Sequence, residues 1–143
     1  MARENRKDYA PKTFNIKNKA RDLCIYVFDV TNKSPKKLRV DVIPEFRTKV
    51  MYIFTLITKA NLKERKDTLR KSLQVEAKEE LEVLMSLSEI CSMTNYITEN
   101  QFLYICKLAS ELSVMIDNWM KSDEKFMTSS DKEASELKLK EDL

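Results

Sequence analysis

Residues 98–121, TENQFLYICKLASELSVMIDNWMK, carry a helix start signal followed by a regular apolar stripe. Thr98 and Gln101 match a capping box, in which each side chain bonds the backbone N–H of the other residue, and Ile97 can pack against Phe102 beside it. Apolar side chains then recur in alternating steps of three and four, at Phe102, Ile105, Ala109, Leu112, Ile116 and Trp119. Because this spacing places them on one helical face, the stretch predicts an amphipathic helix ending near Lys121.

Three upstream segments also carry stripes with steps of three or four residues. The first, from about Phe14 to Thr31, carries Ile16, Ala20, Leu23, Val27 and Val30. The second, from about Asp41 to Ala60, carries Ile43, Phe46, Val50, Ile53, Ile57 and Ala60. The third, from about Leu62 or Lys63 to Cys91, carries Leu69, Leu73, Ala77, Leu81, Leu84 and Ser88. The sequence therefore predicts four amphipathic helices.

Short polar segments separate these helices. Asn32-Lys33-Ser34-Pro35 ends the first, because proline cannot donate a helical hydrogen bond. Pro44 fits the first turn of the second, where its missing N–H would have no intrahelical acceptor, and Asp41 or a neighbour is expected to cap that helix. The alternative is a helix that begins earlier and is kinked at Pro44. Because short connections make neighbouring helices run in opposite directions, we predict an all-α fold: an antiparallel up-down four-helix bundle over residues 13–121.

The two ends of the chain lack this periodicity. Residues 1–12 predict a disordered basic N-terminal arm. Residues 122–143, SDEKFMTSSDKEASELKLKEDL, are too polar to bury enough surface to offset the entropy lost on ordering. We therefore expect a polar C-terminal tail that is disordered or loosely helical.

The composition excludes several kinds of active site. The chain contains no glycine and no histidine. Dinucleotide fingerprints and Walker phosphate loops need glycine, whereas His-dependent triads, His-ligated zinc and ferritin-like metal pairs need histidine. A carboxylate patch at Glu76, Glu79, Glu80 and Glu82 is an alternative, but a solvated helix face is the simpler interpretation. We predict a protein with no enzymatic activity, no metal and no cofactor.

Cysteine usage and hydropathy indicate the compartment. Cys24, Cys91 and Cys106 lie in apolar stretches without CxxC spacing, which favours buried thiols in a reducing environment. The first residues contain no apolar signal segment, and no stretch is long enough to span a bilayer. We expect a cytoplasmic protein with no membrane partner.

The charges are distributed unevenly along the chain. Residues 1–71 hold 19 of the 26 basic and 8 of the 23 acidic residues, whereas residues 72–143 hold 7 basic and 15 acidic ones. Lys59, Lys63, Lys66 and Arg70 recur in steps of four, three and four, so they would share a face if the third helix began one turn early. Such a row can follow a phosphate backbone without reading its sequence.

These basic residues are the candidate nucleic-acid-binding site. The set comprises Lys36, Lys37, Arg39, Arg47, Lys63, Arg65, Lys66, Arg70 and Lys71. Two alternatives remain open: a basic face that is merely solvated, and a face that docks an acidic protein partner. Apolar residues outside the main stripes predict contact with another subunit as well; they are Tyr26, Phe28, Tyr52, Phe54, Leu56 and Tyr104.

Short motifs give the chain a family resemblance over about residues 14–121. They are Ser34-Pro35-Lys36-Lys37, Lys59-Ala60-Asn61-Leu62, the basic opening of the third helix and Trp119-Met120-Lys121. On these motifs the chain resembles the accessory variability determinant proteins, the Avd and bAvd-like four-helix bundles of bacterial and phage diversity-generating retroelements. That family is related to the four-helix proteins encoded in intervening sequences of 23S ribosomal RNA genes.

The resemblance implies a non-catalytic accessory protein. It implies a homopentameric barrel of bundles whose positive surface binds nucleic acid and the reverse transcriptase of the element. The reverse transcriptase then copies template RNA into adenine-mutated cDNA, which replaces a variable region during mutagenic retrohoming. The alternatives are a helical protein-interaction module with a basic docking face and a relative of the ribosomal intervening-sequence proteins.

Overall fold

The computed structural model describes residues 14–33 and 42–141, and within these ranges every regular element is an α-helix. Four helices follow one another: α1 (Phe14–Asn32), α2 (Ile43–Leu62), α3 (Thr68–Met93) and α4 (Glu99–Glu141). The predicted N-terminal arm, residues 1–12, lies outside the described residues, as does Asp41, the proposed cap.

The helices pack around one apolar core. Helix α1 contacts α2 and α4, and α3 contacts the same two helices, so each helix has two packed neighbours. The predicted stripes of α1 and α2 are buried, and so is the α4 stripe from Ile105 to Trp119, with Phe102 half-buried at its start. Leu56, expected on the outside of α2, is buried as well. The predicted all-helical four-helix fold is confirmed.

Helix α3 begins later than the sequence predicts. Its first residue is Thr68 because the Asp67 carboxylate accepts a hydrogen bond from Leu69 N, at 2.9 Å, and caps the helix. The buried side is also displaced in the first turns, where Leu69 is exposed and Arg70 and Gln74 are buried. From there the buried side continues through Ala77, Leu81, Leu84, Ser88 and Cys91.

The connection from α3 to α4 has the predicted capping box at its α4 end. Thr98 N donates to Gln101 Oε1 at 2.9 Å, and Gln101 N donates to Thr98 Oγ1 at 3.1 Å, which confirms the capping box. At the α3 end, Asn95 has φ 63°. Tyr96 N bonds Cys91 O at 2.8 Å and Asn95 N bonds Ser92 O at 3.2 Å, the two bonds of a Schellman motif.

Helix α4 extends much further than predicted. Its 43 residues reach Glu141, so the segment expected to be a disordered or loosely helical tail continues the helix. The segment 122–141 contains no proline or glycine and many Glu, Lys and Leu residues that favour helix. Since it prolongs a helix that already exists, it avoids the cost of nucleation.

Candidate nucleic-acid interface

The nine predicted site residues do not form one cluster. Lys36, Lys37 and Arg39 lie outside the described residues. Arg47 lies near the start of α2, and five residues gather where α2 passes into α3: Lys63, Arg65, Lys66, Arg70 and Lys71. Arg47 and Lys63 are separated by about 24 Å along the helix, at 1.5 Å per residue.

Arg47 links α1 to α2. Its Nε donates to Thr31 Oγ1 at 2.8 Å, and its Nη2 donates to Asn32 Oδ1 at 2.6 Å. The guanidinium also lies 5.3 Å from the centroid of the Phe28 ring. These contacts give Arg47 a packing role at the end of α1, with its donors directed at protein acceptors.

The α2–α3 connection, residues 63–67, breaks the predicted basic row. Lys63 adopts an extended backbone at the end of α2, and Asp67 N bonds Glu64 O at 3.0 Å in the turn that follows. Lys59 therefore lies on α2 and Arg70 on α3, with Lys63 and Lys66 between the two helices. These four side chains would share one helical face only if α3 began one turn early. That condition is not met, because the chain turns after α2 and α3 begins at Thr68.

Arg70 is buried rather than exposed. Its Nε and Nη2 donate to the two carboxylate oxygens of Asp123, at 2.7 and 2.9 Å, and its Nη1 donates to Lys63 O at 3.0 Å. Gln74 Nε2 adds a bond of 3.0 Å to Asp123 Oδ2. We call Arg70, Gln74 and Asp123 the polar clamp, since they join α3 to α4 in the interior.

Asp123, the partner of Arg70, was not among the predicted site residues. Asp123 follows Trp119 by four positions and so continues the buried stripe of α4, but its charge placed it in the predicted tail. The Arg70 guanidinium lies 4.9 Å from the centroid of the buried Trp119 ring, and Trp119 Nε1 has no hydrogen-bond partner in the part of the chain that the structure describes. The one sequence signal for the burial of Asp123 was its spacing of four residues from Trp119.

Exposed cations surround the clamp. Arg65 is half-exposed, with its Nε 3.8 Å from Asp123 Oδ1 and its guanidinium 4.8 Å from the centroid of the Phe126 ring. Lys71 lies 3.8 Å from Glu124 in an exposed pair. Lys63 and Lys66 are exposed and make no ion pair with any described residue. These two lysines are the cations best placed to meet an external anion.

Acidic residues lie close to these cations. An open groove beside α3 and α4 is lined by Arg65, Lys66, Arg70 and Lys71, and also by Asp67, Glu76, Glu79, Glu80, Asp123 and Glu124. Of these carboxylates, Glu80 pairs with Lys49 at 2.5 Å, and Glu76 accepts a 2.5 Å hydrogen bond from the Tyr52 hydroxyl, which raises the tyrosine pKa. The groove is therefore mixed in charge, and the connection itself, residues 63–67, holds three basic and two acidic residues.

The cysteines and the hydropathy of the helices bear on other kinds of site. Cys91 lies in the core, and the partly buried Cys24 packs against that core. The Cys24 thiol donates to Val50 O at 3.3 Å, and burial raises its pKa to about 11. Among the described residues, no group of three or more Cys, Asp or Glu side chains could hold a metal ion. None of the helices in the described ranges has the length and apolar character needed to cross a membrane.

Comparison with known proteins gave no match among protein-family models, curated proteins or solved structures.

Proposed function

We propose that this protein is a non-catalytic binding protein that contacts nucleic acid through the α2–α3 connection and the first turn of α3. One observation carries the proposal: Lys63 and Lys66 are exposed and make no ion pair within the described ranges, and the half-exposed Arg65 lies between them. Residues 59–71 contain six basic and two acidic residues. Cations of this kind displace counterions from a phosphate backbone and supply affinity without reading base sequence.

The resemblance to the Avd proteins supports a more specific role. We propose an accessory subunit of a bacterial or phage diversity-generating retroelement, acting in the cytoplasm with the reverse transcriptase, template RNA and cDNA. The four packed helices agree with the fold that the resemblance implies. A reverse transcriptase gene with imperfect template and variable repeats beside this gene is the expected genomic context, and a neighbourhood without them would contradict the role.

The same proposal includes an antiparallel up-down bundle that assembles as a homopentamer. Contacts between α3 and α4 support the antiparallel arrangement: Lys71, Lys78 and Met85 meet Glu124, Asp117 and Ser110, so numbering rises on one helix as it falls on the other. Exposed apolar side chains support assembly, among them Met51 and Tyr52 on α2 and Tyr104 on α4.

The mixed charge of the groove favours a second candidate, a protein-interaction module with a basic docking face. Six acidic residues line the groove against four basic ones, and a continuous polyanion would be repelled there. A protein surface that alternates acidic and basic groups would complement it. In this alternative the partner is a protein, and the chain has no affinity of its own for nucleic acid.

A binding titration separates the two candidates. We would measure fluorescence anisotropy of labelled RNA, single-stranded DNA and an RNA–DNA hybrid across a range of salt concentrations, on protein whose mass in solution is known. The first candidate predicts binding that weakens steeply as salt rises. Absence of binding at low salt would overturn it in favour of the protein-interaction module.

Charge reversal then locates the interface. We expect Lys63→Glu combined with Lys66→Glu to reduce affinity by at least tenfold and to lower the slope of log affinity against log salt by about two, one for each phosphate that is no longer neutralised. The matched control is Lys138→Glu with Lys140→Glu, which reverses two exposed lysines in the last turn of α4. Equal reductions of affinity in both double variants would show that net charge determines binding and that the α2–α3 connection is not the interface.

A further inference from the structure

The polar clamp is an unusual feature for the interior of a small bundle. Arg70 is 5% exposed and Asp123 is 6% exposed, and charged side chains are almost never buried this far unless they are paired. The pairing here is complete on the carboxylate side, because each Asp123 oxygen accepts from Arg70 and one accepts from Gln74 as well. A bidentate arginine–carboxylate pair fixes both distance and orientation.

The clamp also reaches the connection that carries the exposed lysines. The third donor of Arg70 bonds Lys63 O at 3.0 Å, and that carbonyl lies just past the end of α2. Arg65 approaches Asp123 from the same connection and packs on Phe126. The connection is therefore held at two points, through Lys63 and Arg65, and both depend on Asp123.

We infer that Asp123 is a positioning residue for nucleic-acid binding: through Arg70 it fixes the shape of the α2–α3 connection, so that Lys63 and Lys66 are presented together. The inference rests on the proposed function and adds a residue that a charge-based search would reject. An acidic group beside a polyanion site lowers affinity by direct repulsion. Here the carboxylate is shielded by Arg70 and Arg65, and its effect on the shape of the connection is the larger one.

This inference opposes the prediction of simple electrostatics. Asp123→Asn raises the net charge by one, so a purely electrostatic interface would bind nucleic acid more tightly. We expect the reverse: affinity falls about tenfold and the salt slope falls by about one, because one lysine no longer meets its phosphate. A lower folded fraction alone would reduce the apparent affinity and leave the salt slope unchanged.

The matched control is Glu124→Gln, which removes the same charge from the adjacent, exposed position. It should bind as tightly as the natural protein or more tightly. In case Asp123→Asn does not fold, the double variant Arg70→Met with Asp123→Leu replaces the two charged members of the clamp by apolar side chains at no change in net charge. This double variant should show the same reduction in the slope of log affinity against log salt.

A ligand-free measurement keeps the inference separate from the proposed function. Hydrogen exchange at the Lys63 and Asp67 amides, which bond Ala60 O and Glu64 O, should speed up in the clamp variants and not in Glu124→Gln. The fluorescence of Trp119, the single tryptophan, should shift in the clamp variants because Arg70 lies over its ring. Unchanged exchange, or unchanged or tighter binding by a folded clamp variant, overturns the inference; a natural protein that binds no nucleic acid overturns the proposed function instead.

Discussion

Arg70 and Asp123 are the two buried charged side chains in the described ranges, and the free-energy cost of removing one differs from that of removing both. We expect Asp123→Leu alone to lower the free energy of unfolding by about 3–5 kcal/mol, because it leaves the Arg70 guanidinium buried without its counter-charge. Arg70→Met with Asp123→Leu should recover most of that stability. Urea unfolding of the three proteins checks this, and a double variant as unstable as the single one would contradict it.

The Cys24 thiol offers a second test at the residue scale. Burial raises its pKa from 9.0 to about 11, so at pH 8 its thiolate fraction is about a hundredfold below that of an ordinary cysteine. Since the thiolate is the reactive form, we expect alkylation by iodoacetamide to be at least a hundredfold slower in the folded protein than in urea. Its rate should rise about tenfold per pH unit up to pH 11. Peptide mass spectrometry reads out Cys24 alone, and equal rates in the folded and unfolded protein would refute the burial.

Among the elements, the end of α3 shows how a chain without glycine makes a left-handed turn. Asn95 has φ 63° at the position of the Schellman motif that glycine most often occupies. Asparagine tolerates this conformation better than residues with larger or apolar side chains. The turn therefore depends on Asn95 adopting the left-handed conformation.

Substitution of Asn95 measures that conformational cost. We expect Asn95→Ala to lower the free energy of unfolding by about 1 kcal/mol, because alanine in the left-handed region places Cβ against a carbonyl oxygen. Asn95→Gly should leave stability unchanged or raise it. Asn118→Ala, in the exposed middle of α4, is the control and should be neutral or slightly stabilising, since alanine favours helix. Stability that does not respond to Asn95→Ala would mean that the turn takes another conformation.

The sequence predicted the elements better than it predicted their ends. The stripes of α1, α2 and α4 and the capping box at Thr98 could be identified directly, because period and cap residues are local signals. The start of α3 was missed because Asp67 stands in a run of charged residues that also fits a helical row. The polar clamp was missed because Arg70 and Asp123 are charged, and only their distant partners make burial favourable. The candidate site was therefore half predictable: Lys63, Lys66 and Arg70 were among the predicted residues, but the burial of Arg70 and its partner Asp123 were not predicted.

At the scale of the whole molecule, the outer face of α2 is the surface best suited to burial in a contact between subunits. Residues 50–58 contain no charged side chain, and Met51 is 54% exposed. The hydroxyls of Thr55 and Thr58 bond the carbonyls of Met51 and Phe54 in their own helix, each at 2.9 Å. Because these donors are already satisfied, covering the face leaves neither hydroxyl unpaired.

This face leads to a prediction about assembly. We expect light scattering at micromolar concentration to give a mass several times the 16.8 kDa of one chain, five times for the proposed pentamer. Met51→Lys should shift the mass towards the monomer, because a charge buried at a subunit contact has no partner there. Leu139→Lys, at an exposed position near the end of α4, is the control and should leave the mass unchanged. A natural protein of 16.8 kDa in solution would remove the pentamer from the proposal, and an assembled Met51→Lys variant would move the subunit contact away from α2.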